Sequence, residues 1–348
     1  MNSLISRYKQ IRKKSIVNKS YIGKYAFIGM GNHSIHNLYP IIDYLKIPIK
    51  YIVSKTENTK KLIDNNYPSV KATTDYEEVL NDPDITGIFI SASPDSHYHL
   101  TKMALSHNKH VFVEKPVCLS QSDLRSLIEL SEKTKADCVV GMHKRYSSCT
   151  TALNRSIKRK EIISYNYRFG VGAYPEGDAI WDIFIHPIDY VTYIFGNAEI
   201  ISFVQTEKSN GSYSIFLQLI HSNVIGTIEM STAYSWDQPI EELIVNTKDG
   251  IYEMTNHQSL TFTRKPQVIC SIPTEKIFLS STQKQILFNG NSFLPIAQYN
   301  QLVVQGYFPE IYTFINICEK KSKSNQSTLK SLINTYRLLE LIQQSVVK

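Results

Sequence analysis

Three residues of this chain are suited by type and spacing to move protons. They are the lysine of Glu114-Lys115-Pro116, and Asp182 and His186, four positions apart. Lys115 follows the apolar run 110–114, so it would stand at the carboxyl end of a parallel strand, where open α/β sheets bind ligands. Partial desolvation there lowers an amine's pKa and lets it relay a proton or polarise a carbonyl. Pro116 fixes the backbone just beyond it. Asp182 and His186 share one face if their segment is helical. An imidazole, with an ordinary pKa near ~6.5, suits general acid–base work. Asp182 would orient that ring or bond a substrate hydroxyl. Taking a hydroxyl proton as a hydride leaves the same carbon is alcohol oxidation, and the reverse is reduction. The plainer alternatives are a surface Glu114–Lys115 ion pair and a solvated Asp/His pair.

Such chemistry needs a hydride acceptor, and a candidate site lies upstream. The run Gly29-Met30-Gly31-Asn32-His33-Ser34 follows an apolar stretch at 24–29. It has the GxGxxG form with serine at the third glycine. The first glycine permits a tight turn. The second lets backbone approach a pyrophosphate at a helix N-terminus, and the third position needs only a small side chain. A glycine turn without a ligand is the alternative. At 53–56, Val-Ser-Lys-Thr stands where an NAD enzyme usually places an acid. Ser54 and Lys55 suit a 2′-phosphate through charge-assisted bonds, which favours NADP over NAD. Lys55 as a plain surface lysine remains open.

These residues require a particular scaffold. Apolar runs at 24–29, 50–54, 87–91, 110–114 and 138–142 alternate with helical stretches at 58–66, 76–80, 97–107 and 120–133. That alternation predicts βαβ units and a parallel sheet. Past about residue 150 the pattern changes. A helix is predicted at 178–195, then alternating segments at 200–208, 212–220, 224–232, 241–246 and 260–263. Turn signals at 209–211 and 248–250 make hairpins. Helices at 298–318 and 327–346 close the chain. The expected fold is α/β: an N-terminal Rossmann parallel sheet plus a C-terminal α+β domain with a mainly antiparallel, open-faced sheet. The expected domains are a basic extension at 1–23, a dinucleotide domain at 24–147 and a substrate and oligomerisation domain at 148–348. The last helix is allowed to return to the first domain.

The combination resembles the Gfo/Idh/MocA oxidoreductases, named for glucose–fructose oxidoreductase and inositol dehydrogenase. The likeness rests on Ala104-Leu105, Lys109-His110-Val111, Glu114-Lys115-Pro116, the Gly141 to Arg145-Tyr146 segment and the Asp182-to-Asp189 segment around His186. It implies that Lys115 is the catalytic lysine and that Asp182 and His186 face the substrate beside the nicotinamide. It also implies cofactor contacts at Gly29, Gly31, Asn32, His33, Ser34, Ser54, Lys55, Ser91, Ser93, Pro94, Glu114, Lys115 and Arg145. One departure lies at Ser93-Pro94, where His97 follows the proline by three residues rather than four. Family members act mostly on sugars, nucleotide sugars and cyclitols, and their substrate contacts vary. By chemistry alone Tyr167, Arg168, Tyr174, Tyr234, Trp236 and His257 are candidates.

Composition narrows the remaining classes. The net charge is +7, from 38 basic and 31 acidic residues. Residues 1–24 hold seven of the basic residues and no acid, so the rest is balanced, which argues against a nucleic-acid surface. No apolar run reaches the ~18–20 residues that span a bilayer. Five cysteines without CxxC spacing point to reduced thiols in a cytoplasmic protein and to no metal site. The expectation is therefore a dehydrogenase or reductase of a sugar-like small molecule, assembled as a homodimer or homotetramer through the open sheet. The competing readings are a reductase of a biliverdin-like or imine substrate and a non-catalytic NAD(P)-sensing regulator.

Overall fold

A computed structural model describes residues 4–8, 20–207, 211–277, 283–291, 293–294 and 300–346. Most of the basic extension, and the first two residues of the 209–211 turn, lie outside the described residues. The chain divides into two compact units: residues 1–114 with 130–139 and 311–325, and residues 115–129 with 140–310 and 326–348. The division is interleaved rather than one cut at 147/148. The late segment that joins the first unit is 311–325, while the C-terminal helix Ile333–Val346 stays with the second.

The first sheet comprises β1 (Lys24–Ile28), β2 (Ile49–Val53), β3 (Lys71–Thr73), β4 (Ile85–Ile90), β5 (His110–Glu114) and β6 (Cys138–Gly141). Its order is β3-β2-β1-β4-β5-β6. Strands β1 and β2, β1 and β4, β2 and β3, and β4 and β5 pair in parallel. The order reverses between β1 and β4, and a crevice opens at the carboxyl ends there. Strand β3 was not expected, because three residues are too few to show a period. The strand centres are apolar on both faces, as in Ala26-Phe27-Ile28, Ile88-Phe89-Ile90 and Val111-Phe112-Val113, since helices cover both faces of such a sheet. Phe27, Phe89 and Phe112 are fully buried. Phe314 from the 311–325 segment meets Phe89 edge-on at 4.9 Å. Burying each such ring stabilises the unit by roughly 1.5–3 kcal/mol.

The second sheet has eight strands in the order β16-β13-β12-β11-β7-β10-β9-β8. These are β7 (Ile162–Gly170), β8 (Ala198–Glu207), β9 (Tyr213–His221), β10 (Val224–Ser231), β11 (Ile240–Thr247), β12 (Gly250–Thr255), β13 (Ser259–Arg264) and β16 (Lys284–Asn289). A two-stranded ribbon, β14 (Val268–Ile269) with β15 (Ile272–Pro273), lies between β13 and β16 in sequence. The sheet is mostly antiparallel, but β7 and β10 run parallel. On β7, alternation turns Tyr165, Tyr167 and Phe169 inward and Asn166 and Arg168 outward. Tyr167 meets Tyr190 of the Ile185–Phe195 helix on the covered face. The opposite face shows Val204, Phe216, Ile220, Ile225 and Ile244 to solvent. All five cysteines are free thiols, four of them buried. Among the described residues no helix is long and apolar enough to cross a membrane.

Candidate active site

In the first unit the glycine run makes a tight turn at the end of β1. Gly29 has φ +97°, and a Cβ there would stand 2.1 Å from the Ser91 carbonyl oxygen, so only glycine fits. A Cβ on Gly31 would meet nothing within 4 Å, which leaves its backbone open to a ligand. The next helix starts with a wide π-type turn, Ser34–Leu38, before the α-helical Tyr39–Leu45, and no side chain caps its first N–H groups. Ser34, in the third-glycine position, is buried and bonds the Ser91 hydroxyl at 2.9 Å. It thereby ties the β1 turn to the β4 loop.

A cavity of about 940 Å³ runs along this crevice, lined by Gly29–Ser34, Ser54, Lys55, Thr59, Ser91 and Ser93 among others. Uncapped helix N–H groups, an open glycine backbone and a cation at the end of β2 fit a dinucleotide's phosphates. Pro94 opens the Pro94–Ser106 helix, with Ser93 as its N-cap. His97 is 1% exposed, and its Nε2 lies 3.1 Å from the Ala92 carbonyl oxygen, so the shifted histidine braces the loop from within. Glu114 is buried, with His33 Nε2 at 3.1 Å.

In the second unit the Lys115 ammonium donates to the main-chain oxygen of Asp182. The Lys115–Pro116 peptide is cis. Asp182 lies in a wide turn, Ile180–Phe184, that runs into the Ile185–Phe195 α-helix. The expected single helix at 178–195 is therefore two kinds of helix. Tyr174 donates to Asp182 Oδ2 at 3.2 Å. Burial raises the Asp182 pKa above its ordinary value, against the opposing pull of Lys115 and the Tyr174 bond. The His186 ring stands edge-on to His143 at 5.3 Å. His143 in turn stacks on Tyr307 at 4.1 Å, and its Nδ1 lies 2.8 Å from the Gln305 carbonyl oxygen. Neither His143 nor Tyr307 is singled out by sequence reasoning: His143 lies inside the Gly141-to-Tyr146 segment of the resemblance, and Tyr307 carries no motif.

Several expected contacts need correction. Arg145 is 2% exposed and reaches no ligand surface. Its guanidinium makes a two-point ion pair with Asp189, with Nε to Oδ2 at 2.8 Å, and also bonds the Gln326 carbonyl and the Ser331 hydroxyl. That buried pair is structural, and breaking it would cost about 3–5 kcal/mol. Tyr167 points into the core and donates to Glu241, because β7 alternation turns it inward. His257 is fully buried between Ser147 and Glu241. Burial alone would raise the Glu241 pKa; the Lys144 ammonium and His257 outweigh it and hold the carboxyl well below its ordinary value. Arg168 and Tyr234 form a separate cluster with Glu229 on the open sheet face. Trp236 is half-exposed, donates to the Ala173 carbonyl and stands edge-on to Tyr174 at 6.3 Å, so it reaches the site only by bracing that tyrosine.

Comparison with known proteins agrees with this geometry. Residues 23–142 match the family model for the Gfo/Idh/MocA oxidoreductases, described as an oxidoreductase family with an NAD-binding Rossmann fold. The chain is 24% identical over 200 residues to the uncharacterized oxidoreductase YhhX of Escherichia coli, covering 53% of this chain and 57% of that protein. It is 29% identical over 140 residues to inositol 2-dehydrogenase of Salmonella typhimurium, covering 38% and 42%. These matches thus span about half the length of the curated relatives. A crystal structure of a dehydrogenase from Chromobacterium violaceum superposes with TM-score 0.78 at 15% identity, over 94% of this chain and 96% of that one, a likeness of fold. The glycine crevice at the β1/β4 switch point agrees with that match: over residues 23–142 this chain is similar to the NAD-binding Rossmann fold of the Gfo/Idh/MocA oxidoreductases.

Proposed function

We infer that the whole chain is an NAD(P)-dependent dehydrogenase or reductase acting on a CH–OH carbon of a hydroxyl-rich ring, such as a sugar, nucleotide sugar or cyclitol. The observation that carries this is the meeting of the Lys115 amine with the Asp182 turn, one residue past the end of β5. The similarity to an inositol 2-dehydrogenase supports a polyhydroxylated ring. A nicotinamide, when bound, would supply the hydride acceptor or donor.

The chain's own residues handle binding and the proton. In the oxidation direction the substrate hydroxyl gives up its proton to the chain's residues, and the hydride lost from the same carbon would go to the oxidised cofactor. Lys115 carries three N–H donors, and one of them goes to the main-chain oxygen of Asp182, which holds the ammonium beside the Asp182 turn. His186 takes the hydroxyl proton and returns it in the reverse direction. Asp182, held by Tyr174, bonds a neighbouring hydroxyl and sets the ring's orientation. A non-catalytic sensor would have no need of Lys115, Asp182 and His186 together.

Lys55, Ser54 and Thr59 at the cavity wall, with no carboxylate at the end of β2, favour NADP. The open sheet face, with Val204, Phe216, Ile220, Ile225 and Ile244 exposed, is read as the contact between copies of the chain. Sedimentation at micromolar concentration tests that point, and a monomer throughout would refute it. The activity is tested by screening sugars, inositols and nucleotide sugars with NADP and NAD in parallel and following absorbance of the reduced cofactor. Turnover with at least one class is expected. Cofactor binding without turnover on any class would overturn the reading.

A further inference from the structure

A second cavity in the second unit bears on the size of the substrate. Its volume is about 520 Å³, within the roughly 300–1,000 Å³ of small-molecule sites. Tyr174, Pro175, Gly177, Asp178, Tyr213 and Thr232 form most of its wall. Two of its lining residues, Tyr174 and Gly177, also lie against the Asp182 carboxylate. Tyr174 lines the cavity and donates its hydroxyl to Asp182 Oδ2 at 3.2 Å. A Cβ on Gly177 would stand 2.6 Å from the same Oδ2 and 2.7 Å from Tyr174 Cε1. Only a phenol ring and bare glycine backbone therefore separate the cavity from the carboxylate.

The wall has a definite chemistry. Both phenols are half-buried and held neutral. Burial, then Asp182, pushes Tyr174 up to about 12, and burial, then Asp178, pushes Tyr213 up to about 12. Trp236 fixes the Tyr174 ring from its edge. Among the described lining residues the one charge is Asp178, and there is no cation. Aromatic faces suit the C–H faces of sugar rings, and neutral phenols bond their hydroxyls. A phosphate would meet the Asp178 carboxylate with no described cation to offset it.

We propose that this cavity seats the second ring of a neutral glycoside, whose first ring is presented to Lys115 and Asp182. The proposal rests on the reading of those residues as the reaction centre. It selects, within that reading, sugars of two or more rings over bare cyclitols and nucleotide sugars.

Calorimetric titration of the full chain with matched neutral sugars tests it: glucose against maltose and cellobiose, and galactose against lactose. In at least one pair the two-ring sugar is expected to bind about tenfold more tightly, equivalent to ~1.4 kcal/mol. Ala173→Trp, which adds bulk at an exposed lining position, should bring that ratio close to one, and so should Tyr213→Ala. Equal affinities in every pair, or a ratio that survives both variants, would overturn the proposal. Tighter binding of UDP-glucose than of any two-ring sugar, abolished by Ala173→Trp, would overturn it as well. Binding is read without turnover, so the two readings fail separately. A two-ring advantage without oxidation counts against the reaction centre alone, and oxidation without that advantage counts against the subsite alone.

Discussion

The two candidate sites are built from different material. The cofactor crevice of the first unit is made mostly of backbone: a glycine turn, the uncapped start of a helix and a serine bridge between two loops. The second unit contributes two contact groups instead, Lys115 and Tyr174 about Asp182, and His186 and Tyr307 about His143, each brought together by packing. A backbone site depends on conformations that a few local residues dictate. A side-chain site depends on the whole core behind it. The two should therefore respond differently to substitution.

The sharpest separation is expected from Lys115→Met. Turnover should fall by about 10²–10⁴-fold, the usual scale for a proton-handling group, while NADPH still binds. Cofactor affinity falling in step with turnover would collapse the distinction between the sites.

Next in size is Glu241→Gln, which removes the anion between Lys144 and His257 behind the second site. Leaving the ammonium without its counter-charge should cost about 3–5 kcal/mol in urea unfolding at pH 7. The Glu241 carboxyl is held below its ordinary value, so its contribution is complete above the ordinary carboxylate pKa near ~4.3 and is lost as pH falls through the lowered value. The gap between wild type and variant should thus narrow on acidification. A gap constant with pH would contradict that sign.

Lys55→Asp then probes whether one side chain sets selectivity on the backbone frame. NADPH affinity should drop roughly 10- to 100-fold relative to NADH. Equal losses for both cofactors would remove the 2′-phosphate contact. Tyr174→Phe should have the smallest effect, about fivefold in kcat/KM for one hydrogen bond to a carboxylate. Because burial already raises the Asp182 pKa, losing this bond raises it further, so the acid limb of the pH profile should move to higher pH. An unmoved limb would take Asp182 out of the ionisations that matter.

The same contrast explains what could be read in advance. The parallel sheet and its crevice were legible because short apolar strands, helical spacings and a glycine turn are local signals. Lys115 was legible because a strand end and a proline bracket it. Arg145 was misplaced because its partner Asp189 lies 44 residues away, and a buried bidentate pair leaves no local mark. Tyr167 and Arg168 are neighbours in sequence on opposite faces of β7, and only the Ile185–Phe195 helix, whose Tyr190 meets Tyr167, shows which face is covered. The wide turn at Ile180–Phe184 was also invisible, since Asp182 and His186 keep the spacing of an ordinary helix.

Hydride transfer itself is most directly tested by isotope. The full chain is incubated with NADP or NAD and with neutral sugars and inositols deuterated at their ring carbons, and the cofactor is then weighed by mass spectrometry. The account predicts that deuterium enters the reduced cofactor from at least one substrate with wild-type protein, and at least a hundredfold more slowly with Lys115→Met, on the acid–base scale of about 10²–10⁴. A cofactor that binds but never acquires the label, or a Lys115→Met variant that transfers it at the wild-type rate, would contradict it.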